Sequence, residues 1–379
     1  MKIGIDCRLL GPENGGLGRY VEQLVTHLAG INNDHRFVLF LNKNNFSSVG
    51  LNNLDSRFKK TFADIPWYGW EEQIKFKSII DRETVDIMHF PHWNIPLMYS
   101  APYVATIHDL IMYHYPRPDA TTRGKAVYAI KDKLHRLVVR HTVASAKRVI
   151  AVSEFTKDDI RKTLGVSADK ISVVYGAPYP ETVKLKADSE KENIGRLGIT
   201  KPFVLYVGSA YPHKNLANLV DAWRVLQEKF GYDFQLVLAG SRNKFYERLI
   251  DEKKIGSWND IVPTGFVSDA LLSALYKRAR LYVFPSLYEG FGLPPLEAMA
   301  QGVPVAASNR SCLPEVLGEA ALYFDPENPE QMAEVIQFGL TDEDIRFDLR
   351  QKSKEELKRY SWEATARKTL EILVGAVER

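Results

Sequence analysis

Two carboxylates bracket a pair of glycines in the segment 289–297, which reads Glu-Gly-Phe-Gly-Leu-Pro-Pro-Leu-Glu. Glycines let backbone amides approach a ligand closely, and amides that precede a helix favour an anion. We expect four consecutive residues to present such amides: Gly290, Phe291, Gly292 and Leu293. Glu289 and Glu297 then suit sugar and ribose hydroxyls, as carboxylates do in dinucleotide sites. The segment predicts a nucleotide-sugar site. In the plainer alternative, Glu297 only complements a helix N-terminus and Glu289 is a solvated loop residue.

A second polar segment follows the apolar run that ends at Val207. It reads Gly-Ser-Ala-Tyr-Pro-His-Lys-Asn, in which Gly208 permits a turn and Lys214 can reach a diphosphate. Ser209 can donate a hydrogen bond to the same phosphate. On these residues alone, an exposed lysine in front of a helix is the alternative interpretation.

The first half of the chain carries two weaker signals of a site. The sequence Gly-Gly-Leu-Gly-Arg at 15–19 follows the first predicted strand, so Gly16 lies where helix-terminal amides can hold an anion. A plain strand-to-helix loop explains the same glycines. His108 ends the predicted strand 103–108, at the carboxyl edge where parallel sheets bind ligands. A histidine that merely caps the strand end is the alternative there.

Basic residues are concentrated between positions 117 and 148, where only Asp119 and Asp132 are acidic. The basic residues of this stretch are Arg117, Arg123, Lys125, Lys131, Lys133, Arg136, Arg140, Lys147 and Arg148. A solvated helix face is one interpretation of such a run. A surface for an anionic acceptor or an anionic membrane is the other.

Short apolar runs alternate with helical patterns, which predicts parallel strands in βαβ units. The strands predicted for the first half are residues 3–7, 37–41, 85–90, 103–108, 148–152 and 171–175. Those predicted for the second half are residues 203–207, 234–239, 261–263, 281–284 and 303–307. Helices are predicted over 20–29, from 121 onward, over 296–301 and after Ser361 as N-cap. The charged segment 178–201 is predicted to link two Rossmann-like halves.

The composition is ordinary for a soluble globular protein, with 379 residues, 45% hydrophobic and 26% charged, and it allows two domains. The chain has only two cysteines, which argues against a disulfide framework and indicates a reducing compartment. It contains no cluster of Cys and His that would predict a metal site. The first predicted strand begins at once, so we expect no signal peptide. Charge is uneven: 27 Lys+Arg and 21 Asp+Glu up to Lys191 give +6, and the remaining 23 and 26 give −3.

The segment 289–297 resembles the two-glutamate motif of retaining GT-B glycosyltransferases, in particular family 4. The resemblance extends to the Lys-Asn pair at 214–215, to Thr-Ile-His-Asp-Leu at 106–110 and to the Ser-Trp helix at 361. It implies an α/β GT-B fold, with two Rossmann-like domains whose parallel sheets face a central cleft. It also implies an acceptor-side domain over residues 1–180 and a nucleotide-sugar-binding domain over residues 181–360. The C-terminal helix, 361–379, would pack back on the first domain.

The same resemblance implies catalytic roles for His108, beside the transferred sugar, for Glu289, on the sugar hydroxyls, and for Lys214, on the diphosphate. Many members have a basic residue where this chain has Ser209, which would contribute a weaker phosphate contact. The remaining donor-binding residues would be Gly16, Phe266, Val267, Gly290, Phe291, Gly292, Leu293 and Glu297. Within Thr-Gly-Phe-Val-Ser-Asp at 264–269, Phe266 and Val267 would contact the nucleobase.

The expected reaction is retaining transfer of a hexose from a nucleotide diphosphate sugar to a hydroxyl. The segments 66–68, 89–94 and 103–110 resemble bacterial mannosyltransferases of O-antigen or exopolysaccharide assembly, which favours GDP-mannose as donor and a growing, lipid-linked glycan as acceptor. The alternatives are a glucosyl or N-acetylhexosaminyl transferase using a UDP- or ADP-sugar, a sugar-nucleotide epimerase, and a non-catalytic nucleotide-sugar binder. We expect no metal, no other cofactor and no nucleic-acid partner. The expected location is cytoplasmic, with peripheral contact between residues 117–148 and the inner face of an anionic membrane.

Overall fold

Each half of the chain folds around its own parallel β-sheet. The computed structural model describes residues 1–48, 51–52, 54–67, 69–118, 125–179, 194–231 and 233–378. Unit 1 consists of Met1–Ala177 with Tyr360–Arg379, and unit 2 consists of Pro178–Arg359. The middle of the predicted linker, residues 180–193, lies outside the described residues.

Unit 1 contains a seven-stranded sheet in the order β3-β2-β1-β4-β5-β6-β7, in which every pairing is parallel. Its strands are β1 (Lys2–Asp6), β2 (Arg36–Leu41), β3 (Phe58–Phe62), β4 (Ile87–Phe90), β5 (Tyr103–Ile107), β6 (Arg148–Ala151) and β7 (Ile171–Val173). The helices between them are α1 (Gly15–Gly30), the π-helix Glu72–Phe76, α2 (Lys77–Glu83), α3 (Ile111–His114), α4 (Lys125–Ser145) and α5 (Glu154–Leu164). The central strands read as continuous apolar runs because helices cover both faces of the sheet.

Unit 2 contains a six-stranded parallel sheet in the order β10-β9-β8-β11-β12-β13. Its strands are β8 (Phe203–Val207), β9 (Gln235–Ala239), β10 (Ile261–Gly265), β11 (Leu281–Phe284), β12 (Val305–Ser308) and β13 (Ala321–Phe324). Its helices are α6 (Leu216–Phe230), α7 (Lys244–Glu252), α8 (Asp269–Arg278), α9 (Leu293–Ala300), α10 (Leu313–Leu317), α11 (Pro329–Thr341) and α12 (Glu343–Glu356).

The last helix, α13 (Trp362–Gly375), belongs to unit 1. Ser361 caps it, since its side chain accepts from the Ala364 amide (3.4 Å). Trp362 lies edge-on against Tyr20 of α1, with ring centroids 5.8 Å apart. The Thr365 hydroxyl donates to the carbonyl of Tyr175 (2.7 Å), which follows β7. The end of the chain is therefore built into the first unit by apolar packing and by a hydrogen bond.

Both sheets have the same relative strand order, which reverses direction between β1 and β4 and between β8 and β11. Doubly wound sheets bind ligands at the carboxyl ends of the strands at such a reversal. In unit 2 the loops after β8 and β11 occupy this place, and in unit 1 the loops after β1 and β4 do. The predicted class, two Rossmann-like units with parallel sheets, is confirmed.

Several predicted boundaries were wrong for local reasons. The strands β3 and β13 were missed because both lie at a sheet edge: β3 is partly exposed and carries two lysines, and the two middle residues of β13 are only half-buried. The helix α1 begins at Gly15, five residues before its predicted start, and α9 begins at Leu293 instead of residue 296. Residues 121–124, the predicted start of the long helix, lie outside the described residues.

None of the helices in the described part of the chain is long and apolar enough to cross a membrane.

Candidate active site

The loops that follow β8 and β11 are tied together at the reversal point of the sheet in unit 2. The Leu287 amide donates to the His213 carbonyl (2.8 Å), and the Asn215 side-chain amide donates to the Pro285 carbonyl (3.2 Å). The same Asn215 amide also donates to the Pro326 carbonyl (2.7 Å). Asn215 has φ 59°, a left-handed conformation that asparagine tolerates better than most residues, and α6 begins directly after it. These contacts place the side chain of Lys214 next to the β11 loop.

Lys214 and Glu289 form an ion pair between these two loops. Lys214 Nζ lies 2.6 Å from Glu289 Oε1, and the two side chains are only 17% and 9% exposed. The ammonium group also lies 5.3 Å from the centre of the Phe284 ring at the end of β11. An ammonium group has three hydrogens, so Lys214 can donate to a phosphate oxygen while it stays paired with Glu289. The arrangement therefore places a group that can donate hydrogen bonds to a phosphate beside a carboxylate that can accept hydrogen bonds from hydroxyls.

The backbone beside this ion pair turns directly into α9. Gly292 precedes the helix with φ 86°, a conformation that favours glycine, and a Cβ there would lie 2.9 Å from a methyl carbon of Leu313. The prolines 294 and 295 occupy the first turn, where helices do not use their missing amide hydrogens. The Glu289 amide donates to the Ser311 hydroxyl (3.1 Å), which fixes the start of the loop. Residues 290–292 thus lead directly into the N-terminus of an eight-residue helix that begins at Leu293, and phosphate binding by the amides of 290–293 stays a prediction.

Glu297 lies one turn inside α9 and is held by a buried tyrosine. The Tyr276 hydroxyl, on α8, donates to Glu297 Oε2 (3.1 Å). Burial, together with the nearby charge of Glu297, raises the pKa of Tyr276 well above its ordinary value. The hydroxyl therefore keeps its proton and acts as a donor, which orients the carboxylate.

Ser209 follows a turn that requires a glycine within it, Gly208, and another in the neighbouring loop, Gly240. Gly208 has φ 151°, and a Cβ on Gly240, in the loop after β9, would lie 1.9 Å from the Gly208 carbonyl oxygen. The Tyr206 hydroxyl donates to the Ser209 carbonyl (2.8 Å), so the loop after β8 is anchored on both sides of its turn. Ser209 is half-buried and follows this anchored backbone directly.

Phe266 and Val267 follow β10, after Gly265 with φ 73°. Phe266 is 79% exposed, whereas Val267 is half-buried. A large aromatic ring exposed to this extent can offer an apolar face to a planar ligand.

In unit 1, His108 follows β5, is half-buried and contacts two neighbours. Its Nε2 lies 2.9 Å from the Pro91 carbonyl, and its ring meets the Tyr20 ring edge-on at 4.7 Å. A carbonyl can only accept, so Nε2 carries the hydrogen and Nδ1 is an acceptor. Burial lowers the pKa of His108 to about 4, although the hydrogen bond to Pro91 opposes that shift. At neutral pH His108 is therefore an uncharged ring whose Nδ1 can accept from a hydroxyl.

Gly16 lies in the first turn of α1 and is exposed. A Cβ on Gly16 would meet nothing within 4 Å, whereas one on Gly18 would lie 2.0 Å from the Gly11 carbonyl oxygen. The packing of the loop after β1 on α1 thus requires Gly18, while no residue that the structure describes sterically requires a glycine at position 16. The open space beside Gly16 leaves room for the anion predicted there.

The loop after β1 is supported by a buried ionic network. Arg8, which is fully buried, donates to Asp6 Oδ2 (2.8 Å) and to Glu72 Oε1 (2.7 Å) from its Nη2 group. The Asn94 side chain, after β4, donates to both oxygens of Glu72 (2.8 Å each). Burial lowers the pKa of Arg8, but the two carboxylates outweigh it and leave that pKa raised. The network joins the loops after β1 and β4 through the π-helix Glu72–Phe76.

Comparisons with known proteins cover both units of the chain. The family model described as Glycosyltransferase Family 4 matches residues 14–177, and the one described as Glycosyl transferases group 1 matches residues 189–356. O-antigen chain mannosyltransferase B of Escherichia coli is 30% identical over 288 residues, which cover 75% of this chain and 73% of that protein. The chain belongs to glycosyltransferase family 4.

Two further relatives of this glycosyltransferase extend the comparison. O-antigen chain mannosyltransferase RfbU of Salmonella typhimurium is 26% identical over 344 residues, covering 88% of this chain and 89% of that one. The crystal structure of Anabaena HepE in complex with UDP-glucose is 17% identical and superposes with a TM-score of 0.73. That match covers 99% of this chain and 100% of HepE, and it concerns the fold alone.

The glycosyltransferase carries its predicted site residues in both units. Unit 2 brings Lys214 and Glu289 into direct contact and places both at the reversal point of its sheet. His108 and Gly16 belong to unit 1, at the ends of β5 and at the start of α1. The roles of all these residues stay predictions. Within the described ranges, no group of three or more His, Cys, Asp or Glu side chains could hold a metal ion.

Three supporting contacts were missed by sequence reasoning: the Tyr276 hydroxyl on Glu297, the Ser311 hydroxyl on the Glu289 amide, and the network around Arg8. Tyr276 precedes Glu297 by 21 residues, and Ser311 follows Glu289 by 22, so only the fold brings each pair together. One signal was available for Arg8. Oppositely charged residues at positions 6 and 8, at the end of an apolar strand, indicate a buried or functional pair there.

Proposed function

We propose that this glycosyltransferase moves mannose from GDP-mannose to a hydroxyl of a growing, lipid-linked glycan, with retention at the anomeric carbon. The observation that carries the proposal is the Lys214–Glu289 pair beside the α9 N-terminus. This pair can serve a diphosphate and a sugar at the same time. The choice of mannose is supported by the relatives, because two of them are named as O-antigen mannosyltransferases.

The leaving group of the reaction is GDP, so the main electrostatic task is to stabilise a diphosphate. In the proposal, Lys214, the Ser209 hydroxyl and the amides of Gly290, Phe291, Gly292 and Leu293 share that task. Glu289 accepts from sugar hydroxyls, and its contact with Lys214 aligns it for that purpose. Glu297, oriented by Tyr276, accepts from the ribose hydroxyls.

The ion pair between Glu289 and Lys214 favours retention without a covalent intermediate. Its Oε1 is already paired with Lys214, so the carboxylate is placed to hold a sugar and not to attack it. The bond between the anomeric carbon and the phosphate oxygen breaks while the acceptor oxygen bonds to the same face of the sugar. The acceptor proton passes to the departing phosphate oxygen. Lys214 and the backbone amides replace a metal clamp in this scheme.

His108 contributes a hydrogen-bond acceptor from unit 1. Its neutral ring would accept from a hydroxyl of the transferred sugar through Nδ1, because Nε2 is used by Pro91. The exposed Phe266 and its neighbour Val267 would contact the nucleobase. Gly16 would leave room for donor phosphate or acceptor.

The proposed acceptor is carried by a lipid, which places the enzyme in the cytoplasm at the inner face of a membrane. The basic stretch from Arg117 to Arg148 would face the anionic lipid surface. Among its described residues, Arg136 is paired with Asp132 (2.7 Å), whereas Lys131 and Lys133 are exposed.

A panel of nucleotide sugars tests the proposal. GDP-mannose should raise the melting temperature more than UDP-glucose, UDP-N-acetylglucosamine or ADP-glucose, and it should be consumed when an acceptor is present. Proton NMR of the product should show an α-anomer formed from the α-linked donor. Turnover of a UDP- or ADP-sugar alone would favour the other retaining transferases. Binding of a donor with neither hydrolysis nor transfer would favour a non-catalytic binder.

A further inference from the structure

Two buried tyrosines hold two consecutive backbone carbonyls in the loop after β8. The Tyr206 hydroxyl donates to the Ser209 carbonyl (2.8 Å), and the Tyr246 hydroxyl, from α7, donates to the Gly208 carbonyl (3.3 Å). Tyr206 and Tyr246 are 0% and 1% exposed. Burial raises the pKa of both hydroxyls above the ordinary value of a tyrosine. Both hydroxyls therefore keep their protons and act as hydrogen-bond donors.

A third tyrosine extends this arrangement towards the neighbouring strand. The Tyr282 hydroxyl, from β11, donates to the Val207 carbonyl at 3.5 Å, the longest of the three distances. Three consecutive carbonyls thus face tyrosine hydroxyls. The Phe284 ring stacks with the rings of both Tyr206 and Tyr282, at centroid distances of 6.3 and 6.1 Å. Because the Lys214 ammonium lies 5.3 Å from the centre of the same Phe284 ring, the tyrosines belong to one aromatic cluster with the candidate site.

Two glycines make room for the hydroxyls of Tyr206 and Tyr246. A Cβ on Gly208 would lie 2.6 Å from the Tyr206 hydroxyl oxygen. A Cβ on Gly240 would lie 1.9 Å from the Gly208 carbonyl oxygen and 3.2 Å from the Tyr246 hydroxyl oxygen. A side chain at either glycine would push a hydroxyl away from the carbonyl that it holds. The turn is therefore packed closely around these two hydrogen bonds.

The direction of the two carbonyls determines where the next amides point. In a trans peptide group the N–H and C=O bonds lie in one plane and point in opposite directions. The carbonyls of Gly208 and Ser209 face the tyrosines, so the amide hydrogens of Ser209 and Ala210 point to the other side of the loop. In the part of the chain that the structure describes, neither amide donates a hydrogen bond, and both residues are only half-buried. Successive backbone N–H groups are a common means of binding phosphate in proteins, and these two are available to an anion.

We propose that Tyr206 and Tyr246 are positioning residues for the leaving diphosphate, and that the amides of Ser209 and Ala210 are two further donors to it. The proposal rests on the proposed function, because the diphosphate is that of the nucleotide-sugar donor. The tyrosines are buried and act only through the carbonyls that they hold. Donors that are oriented before the ligand arrives need no reorganisation during the reaction, so they stabilise the leaving group more effectively than mobile ones.

Substitution of both tyrosines by phenylalanine tests the proposal in the full chain. Tyr206→Phe with Tyr246→Phe removes the two hydroxyls and keeps the two rings. The Kd of GDP should rise about tenfold, because amides that are no longer oriented lose hydrogen bonds to a charged group, whereas the Kd of guanosine should stay within about twofold. Equilibrium titration gives both Kd values. The matched control is Tyr323→Phe, which removes a hydroxyl that donates to the Gly318 carbonyl in the same unit, and it should bind both ligands like wild type.

The ratio of the guanosine Kd to the GDP Kd separates positioning from a purely structural role. A double variant that loses stability in urea and keeps the wild-type ratio would overturn the proposal. A Tyr323→Phe ratio that changes as much as that of the double variant would overturn it too. If the double variant does not fold, each single variant gives the same test, with a ratio that should fall about threefold.

The choice of probe keeps this test separate from the donor assignment. If wild type binds UDP and not GDP, the assignment of GDP-mannose alone is wrong. UDP and uridine then replace GDP and guanosine, and the expected change in the ratio is the same, because it concerns the phosphates and not the base. Wild-type protein that binds neither nucleotide would overturn the proposed function and this proposal together.

Discussion

At the scale of single residues, the pair Lys214–Glu289 is both the proposed donor site and a structural contact. The two side chains are largely buried and lie 2.6 Å apart, so each neutralises a charge that would otherwise lie in a poorly solvated place. Removal of one partner would leave the other largely buried without its counter-charge.

A double-mutant cycle measures this coupling. Lys214→Met and Glu289→Gln should each lower the free energy of unfolding by about 1–3 kcal/mol, the cost of a buried polar group left without its partner. The double variant should lose clearly less than the sum of the two. Urea denaturation gives the three values. The exposed pair Arg248–Glu252 is the control and should show little or no coupling. Simple additivity at Lys214 and Glu289 would mean that the ion pair is not formed in solution.

Tyr276 gives a second prediction at this scale, since its hydroxyl orients Glu297. Tyr276→Phe removes one hydrogen bond to a carboxylate, worth about 1.5 kcal/mol, so the donor KM should rise about tenfold. The kcat value should change little, because the ribose lies away from the reacting bond. The control is Tyr323→Phe. It removes a hydroxyl that donates to the Gly318 carbonyl elsewhere in unit 2. Equal donor KM values in both variants would remove Tyr276 from the site.

Residues of the site differ in how far they could be predicted from the sequence. The segment 289–297 is a contiguous pattern that indicates its chemistry, through Glu289, Gly290, Gly292 and Glu297. Lys214 follows a strand that the sequence predicts. Tyr276 and Ser311 act through side-chain contacts made across the fold. Nothing in their local sequence indicates which carboxylate or amide they will meet, so only the fold identifies the contacts of Tyr276 with Glu297 and of Ser311 with Glu289.

At the scale of elements, the ends of β4 and β5 collect histidines that are kept neutral by burial. Burial lowers the pKa of His89 and of His92 to about 3, and that of His108 to about 4. His89 Nε2 lies 2.9 Å from the Thr106 hydroxyl, and His92 Nδ1 accepts from the Trp93 amide (2.7 Å). At neutral pH these three rings, at the carboxyl ends of β4 and β5, are therefore uncharged.

Stability should fall in mild acid for this reason. A histidine with an ordinary pKa of about 6.5 when unfolded and a lower one when folded stabilises the protein above pH 6.5. For His89 that contribution is lost as the pH falls from 6.5 towards the folded-state pKa of about 3, and the loss at pH 5 is about 2 kcal/mol. Urea denaturation of wild type and His89→Gln at pH 7.5 and pH 5.0 measures it. The variant should lose less stability between the two pH values; an equal loss would show that His89 is not buried in its neutral form.

The elements themselves were largely predictable because the central strands of a parallel sheet are continuous apolar runs. Prediction failed at the edges. The strand β3 carries lysines and half-exposed residues, and α1 begins within a glycine segment that has poor helix propensity. In both cases the neighbouring elements of unit 1 determine the structure, since β3 pairs with β2 and Gly18 packs on the Gly11 carbonyl.

At the scale of the whole molecule, the two sheets repeat one strand order, and the donor motifs coincide with the reversal point of the second sheet. This coincidence supports the proposed division of labour, in which unit 2 binds the nucleotide sugar. The excess of basic residues lies in the first half of the chain, +6 up to Lys191, where the acceptor and the membrane are proposed to bind. Sequence analysis could predict the two halves and their charges. It could not predict which strand ends adjoin, because strand order depends on crossover connections.

Metal independence is a prediction for the whole enzyme. Lys214 and the backbone before α9 are proposed to stabilise the leaving diphosphate in place of a divalent cation. Exhaustive treatment with EDTA should therefore leave the transfer rate within about twofold of the untreated enzyme, since no metal-dependent electrostatic contribution is lost. A rate that collapses with EDTA and returns with Mn²⁺ or Mg²⁺ would contradict this model of the site.

The central claim is that Lys214 and Glu289 serve the transfer of mannose from GDP-mannose. The most direct measurement is the rate of GDP release from GDP-mannose, with acceptor present, for wild type and for the double variant Lys214→Met with Glu289→Gln. Wild type should show acceptor-dependent GDP release, and the rate in the double variant should be at least about 10²-fold lower, the scale of a lost electrostatic contact in an active site. Wild-type enzyme that releases no GDP while turning over a UDP- or ADP-sugar, or a double variant that releases GDP at the wild-type rate, would contradict it.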